Sequence, residues 1–281
     1  MTAALPPLPA ELGAATRATP VPGGDINAAW RVELADGRHA FVKHRPGAPA
    51  GEYATEAAGL RWLAEPGALR LPRVLAVSDA ALALEWVDEG RLDAAGEEEL
   101  GRGLAELHAA GAPAFGGAWP LRLGAVVLSN EPLADWPAFY AERRLRPLAA
   151  QARDRGALSA AGAAAIERVC ERIDELAGPP EPPARIHGDL WSGNVLAGAD
   201  GRPWLIDPAA HGGHREVDLA MLRLFGAPSP RVLAAYQEAR PLAAGHDERV
   251  ALWQLLPLLV HAVLFGGGYG ASAERAARRY G

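Results

Sequence analysis

The order of apolar and polar positions divides the chain into a strand-rich first third and a helix-rich remainder. Residues 17–43 predict a strand, a glycine-containing loop and then a hairpin whose turn is Asp36-Gly37. Residues 73–77 and 81–87 predict two more strands. Between these strand groups, the spacing of apolar residues predicts a helix over residues 52–64. The first third therefore indicates a small sheet that carries one helix.

Helical periodicity dominates after a polar, glycine-containing stretch at residues 88–96. The Gly- and Pro-rich residues 111–130 show no clear period and predict irregular structure. The predicted helices are 97–110, 135–151, 159–176, 232–239, 249–265 and 271–279. With 281 residues, the chain is long enough for one large domain or two lobes. The order of strands and then helices indicates the α+β class.

Composition narrows the class of protein. Apolar residues make up 49% of the chain, which is enough for a sizeable core. The formal net charge is −6 and no Lys/Arg-rich run occurs, whereas nucleic-acid binders are more often basic, so we expect no nucleic-acid partner. The apolar run at residues 250–265 is interrupted by Gln254, Pro257 and His261. We therefore expect a buried helix there and no membrane partner.

Two further features bear on the cellular compartment. Cys170 is the only cysteine, so the chain can form neither an internal disulfide nor a cysteine metal site. Residues 1–20 lack the charged start and the apolar core of a secretory signal peptide. We therefore expect a reducing, cytoplasmic location.

The segment from Arg185 to Asp207, RIHGDLWSGNVLAGADGRPWLID, carries the clearest candidate chemistry. Asp189 is a candidate base, and Asn194 and Asp207 are candidate oxygen ligands of a metal ion. The Asp-Gly pair at residues 200–201 predicts a two-residue hairpin turn. That register places Asn194 directly opposite Asp207, with Cβ atoms about 4.5–5.5 Å apart, so one cation could bridge the two side chains.

The spacing H-x-D-x-x-x-x-N, followed by a strand that ends in Asp, is typical of kinase-type phosphotransferases. In such enzymes the first Asp faces the hydroxyl that is phosphorylated, and the Asn and the second Asp hold Mg²⁺. The alternative is an ordinary loop in which Asp189 caps one turn and Asn194 fills another. The complete set of three residues favours the phosphotransferase site.

Lys43 is the only Lys among 28 Lys and Arg residues, which makes it a candidate for a site that needs a compact point charge. It ends the predicted strand Ala-Phe-Val-Lys, which is comparable to the V-A-I-K strand that directs a Lys at nucleotide phosphates. Glu56 shares a helix face with Leu60 and Leu63, so it leans toward the core. We expect a Lys43–Glu56 ion pair like that of kinases, the alternative being a Glu56 that is solvated at the surface.

Several motifs together resemble the fructosamine kinase (ketosamine 3-kinase) family, which belongs to the group of aminoglycoside phosphotransferases and choline kinases. The motifs are HGDLWSGN, IDPA, GHREVDLAMLRLFG, GGDIN, FVKH and the helix around EAAGL, and they span about residues 23–269. The resemblance implies a bilobal protein-kinase-like fold. Residues 1–88 would form a small antiparallel-sheet lobe with one helix, and residues 89–281 a larger, mostly helical catalytic lobe.

The same resemblance implies an activity and a set of site residues. The activity is ATP-dependent phosphorylation of the 3-hydroxyl of a sugar attached to an amine, after which the unstable adduct falls off. Lys43 would contact the α- and β-phosphates with Glu56 positioning it, while Asp189 acts as the base. Asn194 and Asp207 would hold Mg²⁺. The loop expected to cover the phosphates contains Gly23, Gly24, Asp25 and Asn27.

Two regions are expected to complete the site. The backbone at Glu85 and Val87, in the hinge between the lobes, would meet the adenine edge. Acceptor contacts are expected between the catalytic loop and the C-terminal helices, and the candidates are Trp191, His214, Arg215 and Glu216. For Arg215 and Glu216 the alternative is a structural ion pair.

The expected partner is a ketosamine, either a small molecule or attached to a protein. Two other functions stay open from the sequence. One is a kinase of the same fold that acts on an aminoglycoside, choline or homoserine. The other is a nucleotide-binding module without catalysis. The sequence decides neither the preferred sugar nor the oligomeric state.

Overall fold

The computed structural model describes residues 6–22, 27–226 and 228–281. The strands of its N-terminal part are β1 Ala15–Val21, β2 Ala28–Leu34, β3 His39–His44, β4 Val74–Val77 and β5 Ala81–Glu85. They form one antiparallel sheet with the order β1-β2-β3-β5-β4. The turn between β2 and β3 is Asp36-Gly37, as the sequence predicts, and Gly37 supplies the φ of 84° that this turn requires.

Helix α1, Glu52–Ala64, packs against this sheet and has the bounds that the sequence predicts. The side chains that its apolar spacing buries are Tyr53, Ala57, Leu60 and Leu63. Full burial of one such Leu contributes about 1.5–3 kcal/mol relative to an exposed one. The packing of α1 also fixes Glu56, which contacts Lys43 of β3.

The remainder of the chain is mostly helical. The helices are α2 Ala94–Ala109, α3 Trp136–Tyr140, α4 Arg146–Asp154, α5 Ala160–Glu171, α6 Ile173–Leu176, α7 Glu216–Leu222, α8 Pro230–Ala239, α9 His246–Trp253, α10 Leu255–Phe265 and α11 Tyr269–Ala277. Asp93, Asp135 and Ser159 cap α2, α3 and α5, because each side chain accepts a hydrogen bond from a first-turn N–H. A π-helical segment, Ala141–Leu145, joins α3 to α4, so the helix predicted over residues 135–151 is not uniform.

Short antiparallel pairs lie among the helices. Their strands are β6 Leu121–Leu123, β7 Val126–Leu128, β8 Ala184–Ile186, β9 Val195–Ala197, β10 Pro203–Leu205 and β11 His211–Gly213. The pairs are β6–β7, β8–β11 and β9–β10. The prediction of irregular structure over residues 111–130 is wrong where β6 and β7 lie, because strands this short barely show a period of two.

A hydrophobic cluster joins the sheet to the helical part. It includes Leu60 of α1, Leu84 of β5, Leu104 of α2 and Leu205 of β10. A second cluster lies within the sheet and a third among the C-terminal helices. The joining cluster crosses the predicted lobe boundary at residue 88, so the two parts of the chain are packed together over a common core.

The segment His246–Phe265, which contains α9 and α10, is long and apolar enough to cross a membrane by length and composition. However, 67% of its most apolar window is buried inside the protein. Leu252, Leu255 and Leu259 are fully buried in the cluster of the C-terminal helices. This placement agrees with the buried helix predicted from the sequence.

Candidate active site

A cleft of about 870 Å³ lies between the sheet and the helical part. Lys43 and Glu56 line it from the sheet side, and Asp189, Asn194 and Asp207 line it from the helical side. Lys43 and Asp207 are 164 positions apart in the sequence, yet their side chains are in contact. The fold therefore brings together the five residues on which the sequence-based hypothesis depends.

The segment before Asp189 is held by a buried carboxylate. Asp218 of α7 accepts hydrogen bonds from the backbone N–H of His187 at 2.7 Å and of Gly188 at 2.9 Å. The Nε2 of His108 lies 3.2 Å from the same carboxylate. Burial opposes ionisation of Asp218, but the hydrogen bonds keep its pKa below the ordinary value. Gly188 has a φ of 82°, and a Cβ there would lie 2.2 Å from a backbone carbonyl oxygen, so the position requires Gly.

Asp189 and Asn194 are joined directly. The Nδ2 of Asn194 donates to the backbone carbonyl of Asp189 at 2.8 Å and to its Oδ2 at 3.2 Å. These bonds use the nitrogen of the amide, which leaves its oxygen as the end that can bind a cation. Burial, followed by the charge of Asp207, raises the pKa of Asp189 to about 7. A base whose pKa lies near the working pH is well matched to proton transfer.

The β9–β10 hairpin corrects the register predicted from the sequence. The N–H of Ile206 donates to the carbonyl of Asn194 at 3.1 Å, so Asn194 lies opposite Ile206 and not opposite Asp207. The loop has three residues instead of two, because the N–H of Gly201 donates to the carbonyl of Gly198 at 2.9 Å. Gly201 has a φ of 77°, as the last residue of such a loop requires. The prediction was therefore wrong by one residue.

Asp207 reaches the site through its backbone conformation. It lies just beyond β10 and is the one non-glycine residue with positive φ, 53°, in the described part of the chain. Its Oδ1 accepts a hydrogen bond from the Nζ of Lys43 at 2.8 Å. The side chain is still 51% exposed, so its carboxylate also faces the cleft. A positive φ is uncommon for residues other than Gly, although Asp adopts it more readily than most, and such conformations cluster at functional sites.

Lys43, Glu56 and Asp207 form one charged group. The ion pair between Lys43 and Glu56 that the sequence predicts is present. Burial alone would lower the pKa of Lys43, but the two carboxylates together raise it above its ordinary value. The ammonium group in turn lowers the pKa of Asp207. Burial raises the pKa of Glu56, against the opposing effect of Lys43. The ammonium group is therefore charged and is held at the wall of the cleft by two carboxylates.

The oxygen atoms beside this group suit a magnesium ion. Mg²⁺ prefers hard oxygen ligands and is usually held by one or two carboxylates together with substrate phosphates and water. The half-exposed carboxylate of Asp207 and the amide oxygen of Asn194 provide such a set on one wall of the cleft. These two residues fit the ion, and their role as its ligands stays a prediction.

The nucleotide side of the cleft carries the remaining predicted contacts. Asn27 lines the cleft, and its Oδ1 accepts a hydrogen bond from the hydroxyl of Tyr53 at 3.0 Å. The predicted phosphate-loop residues Gly23, Gly24 and Asp25 lie outside the described residues.

The predicted hinge follows β5. The side chain of Glu85 is paired with Arg73 at 3.1 Å, and among the described residues neither Glu85 nor Val87 is part of the cleft lining. The contact predicted for Glu85 and Val87 involves the backbone and stays a prediction. Glu89 is the residue of this stretch that lines the cleft, and no motif in the sequence indicates it.

An aromatic wall, made of Trp191, Phe225, His261, Phe265 and Tyr269, lines the cleft on its C-terminal side. Adjacent rings of this wall lie 5.0–6.0 Å apart between centroids. Large apolar side chains exposed within the described ranges are Val127, Trp191, Phe225 and Phe265, and three of these four belong to the wall. Such a concentration of exposed apolar surface marks a binding site. The sequence pointed only to Trp191.

The structure contradicts the acceptor contacts that the sequence predicted for His214, Arg215 and Glu216. His214, Arg215 and Glu216 are buried and do not line the cleft. Arg215 is paired with Glu181 at 2.6 Å. Glu216 accepts hydrogen bonds from Arg249 at 2.6 Å and from Nε1 of a buried Trp at 2.9 Å. Arg215 and Glu216 are therefore in structural ion pairs, each with a partner that was not predicted.

His214 belongs to the same buried layer. Its ring stacks on Trp253 with centroids 5.3 Å apart and lies 6.2 Å from the ring of Trp136. Burial lowers the pKa of His214, so the ring packs as a neutral side chain. His214, Arg215 and Glu216 thus belong to the buried interior and not to the cleft lining.

Known proteins share the sequence features of this chain over almost its whole length. A family model described as fructosamine kinase matches residues 8–280. A probable ketoamine kinase of Thermus thermophilus is 38% identical over 262 residues, which cover 92% of this chain and 92% of the relative. A probable ketoamine kinase of Enterococcus faecium is 34% identical, and the match covers 91% of this chain and 92% of the relative.

Solved structures agree with these sequence matches. A candidate fructosamine-3-kinase from Thermobifida fusca superposes with a TM-score of 0.89 and 47% identity, covering 94% of this chain and 93% of that chain. The choline kinase LicA from Streptococcus pneumoniae superposes with a TM-score of 0.64 at 14% identity, covering 95% of this chain and 93% of that chain. The second likeness concerns the fold alone. Together they confirm the bilobal protein-kinase-like fold expected from the sequence.

Proposed function

Because the chain belongs to the fructosamine kinase family, we propose that this ATP-dependent kinase phosphorylates the 3-hydroxyl of ketosamines, such as fructosamine or ribulosamine adducts of amines and proteins. The observation that carries this proposal is the position of Asp189. It lies in the cleft that contains both the charged group around Lys43 and the aromatic wall. A phosphate donor fits the first of these surfaces, and an amine-bearing acceptor fits the second.

The proposed chemistry needs one proton acceptor and a set of fixed charges. Asp189 takes the proton of the acceptor hydroxyl. At the same time the hydroxyl oxygen forms a bond to the terminal phosphorus of ATP, and the bond between that phosphorus and the ADP oxygen breaks. Asp218 keeps the Asp189 backbone in place through the two preceding N–H groups. Positioning of this kind supplies most of the rate in phosphoryl transfer, because the enzyme does little covalent chemistry itself.

The charged group supports the donor. Lys43 places its ammonium against the phosphates of ATP, and Glu56 keeps that side chain extended into the cleft. Asn194 and Asp207 would hold Mg²⁺, which would supply positive charge against the phosphates. We infer that Lys43 exchanges part of its contact with Asp207 for phosphate oxygens when the nucleotide binds, since the Asp207 carboxylate contacts Lys43 and is also half-exposed to the cleft.

The aromatic wall supports the acceptor. A ketosamine carries a secondary amine that is protonated near neutral pH, and aromatic faces attract such a cation by about 0.5–2 kcal/mol. Trp191 follows Asp189 closely in the chain and presents its ring 6.0 Å from that of Phe225. The sugar would lie beside Asp189 and the amine beside these rings.

Phosphorylation at C3 has a chemical consequence for the adduct. Loss of a proton from C1 gives an enol between C1 and C2, which expels the phosphate from C3. Addition of water then releases the amine from the sugar fragment. We propose that the activity in this way repairs glycated amines in the cytoplasm.

A product assay tests this proposal. The protein would be incubated with ATP, MgCl₂ and either fructosyl-lysine, choline or kanamycin, and the products examined by ³¹P and ¹³C NMR. We expect ADP formation with fructosyl-lysine and a phosphomonoester on C3 of the sugar. Choline is the informative control, because its quaternary ammonium also suits an aromatic wall. Turnover of choline or kanamycin without turnover of any ketosamine would assign the protein to another activity of the same fold.

A further inference from the structure

Arg122 is a cleft residue that the reaction described above does not use. It lies in β6 between Leu121 and Leu123, whose side chains are buried in the core. Alternation along the strand therefore turns Arg122 to the opposite face, together with its cross-strand neighbour Val127. Arg122 is part of the cleft lining together with its neighbours Leu121 and Leu123, whereas Val127 is not.

The hairpin that carries Arg122 is firmly attached to the site. The Nε1 of Trp119 donates to the carbonyl of Ala210 at 3.1 Å, three residues after Asp207. Just beyond the hairpin, Nδ2 of Asn130 donates to the carbonyl of Trp119 at 2.9 Å. The buried guanidinium of Arg144 holds the other end of the Asn130 amide. The backbone of Arg122 is therefore fixed relative to the catalytic loop.

The guanidinium of Arg122 has no anionic partner among the residues that the structure describes. Within residues 6–22, 27–226 and 228–281, no hydrogen bond or ion pair involves it, and its Nε is buried without an acceptor. Other arginines near the cleft are paired, such as Arg45 with Glu52 and Arg185 with Glu65. A buried N–H without an acceptor is unfavourable, so this position suits a ligand that brings an acceptor with it.

The position of the hairpin shows which half of the cleft Arg122 serves. Strand β7 packs against α10, the helix that contributes His261 and Phe265 to the aromatic wall. The phosphate half, by contrast, is formed around Lys43 of β3 and Glu56 of α1. An anion that reaches Arg122 from this half of the cleft would belong to the acceptor, on the side of its amine. One guanidinium matches the charge and the planar shape of one carboxylate.

We propose that Arg122 binds a carboxylate of the acceptor, so that the preferred substrates are ketosamines of amino acids that keep a free carboxylate near the sugar-bearing nitrogen. This inference rests on the proposed function and names the substrate class of the same site. In it the sugar hydroxyl faces Asp189, the amine faces the aromatic wall, and the carboxylate pairs with Arg122.

A pair of acceptors that differ by one charge tests the proposal. Fructosyl-glycine has the carboxylate, and fructosyl-glycinamide has a neutral amide of nearly the same shape. We expect the wild-type protein to show a kcat/KM about tenfold or more higher for the acid, the usual magnitude for a hydrogen-bonded charge. Arg122→Gln is expected to reduce this preference to less than about twofold while the KM for ATP stays unchanged.

Two further variants serve as controls. Arg122→Lys keeps the charge without the planar fork and is expected to retain part of the preference. Arg153→Gln removes an exposed guanidinium on α4, outside the cleft lining, and is expected to keep the full wild-type preference. The unfolding midpoints of the variants show whether each variant is folded. The preference of the wild-type protein for the acid over the amide tests the proposal even if a variant does not fold.

The outcomes separate the two proposals. Turnover of neither acceptor by the wild-type protein would overturn the proposed function. Equal turnover of acid and amide by the wild-type protein would overturn the role of Arg122 and leave the proposed function intact. Loss of activity in Arg122→Gln to the same extent with both acceptors, or a raised KM for ATP, would place Arg122 at the nucleotide and contradict the proposal.

Discussion

The residues of the cleft derive their properties from one another. Lys43 stays charged in a buried place because Glu56 and Asp207 flank it, and Asp207 stays ionised because Lys43 is near. The sequence allows the pair Lys43–Glu56 to be predicted, since one lies at the end of a strand and the other on the inner face of a helix. It does not reveal the left-handed backbone of Asp207, which depends on how the chain leaves β10.

His211 is a residue whose burial predicts a pH dependence of stability. It is fully buried, and its Nδ1 lies 2.8 Å from the carbonyl of Ala209, to which it donates. Burial lowers its pKa to about 3. The unfolded chain, with a His pKa of about 6.5, therefore binds more protons than the folded one between these values, so stability falls as the pH falls through that window.

The size of this effect can be measured against a side chain that does not titrate. From pH 7 to pH 5, the proton linkage of His211 should cost the wild-type protein about 2 kcal/mol that His211→Gln does not lose. Urea unfolding of both proteins at the two pH values gives the difference. Equal pH dependence in the two proteins would show that His211 is not held neutral in the fold.

At the scale of elements, helix α1 is attached at its C-terminal end to the strand that leads to Asp189. The guanidinium of Arg185, in β8, lies 4.3 Å from the ring centroid of Trp62 and donates to the Trp62 carbonyl. It also pairs with Glu65 at 2.9 Å. Because α1 carries Glu56, this attachment fixes the position of Glu56, the partner of Lys43, relative to the catalytic loop.

Removal of that attachment should affect the nucleotide more than the acceptor. Arg185→Met frees the end of α1, so we expect kcat/KM for ATP to fall about tenfold, the magnitude of a lost charged hydrogen bond, while the acceptor KM stays unchanged. Arg185→Lys should recover part of the loss. Arg61→Met, an exposed position in the last turn of the same helix, is the control and should behave like the wild-type protein. Wild-type ATP kinetics in Arg185→Met would contradict this account of α1.

The element scale also shows where sequence reasoning fails. The bounds of α1 could be predicted because its apolar residues recur regularly and Leu60 and Leu63 face the same core. The register of β9–β10 could not, because a two-residue and a three-residue loop both accept an Asp-Gly pair. A change of one residue in loop length moves every opposed pair, so Asn194 lies opposite Ile206, and Asp207 reaches the cleft through its own left-handed backbone.

For the whole molecule, the order of strands and then helices was enough to predict an α+β class, and the motif resemblance supplied the bilobal arrangement. Apart from Trp191, the aromatic residues on the acceptor side of the cleft could not be predicted in this way. Trp191, Phe225 and Phe265 belong to three separate segments and meet only in the folded chain. The pattern of apolar positions predicts such residues to be buried in the core, so it does not indicate that they are exposed. The GHRE motif led to the opposite error. Its Arg215 and Glu216 were predicted to contact the acceptor, but both are in ion pairs in the interior.

The measurement that tests the central claim most directly compares Asp189→Asn with the wild-type protein on fructosyl-lysine and ATP. Asn keeps the shape of the side chain and removes the base, so we expect turnover to fall by about 10²–10⁴-fold. ATP affinity, measured by calorimetry, should stay close to the wild-type value, because Lys43, Asn194 and Asp207 are intact. Near-normal turnover of the ketosamine by Asp189→Asn would contradict the account.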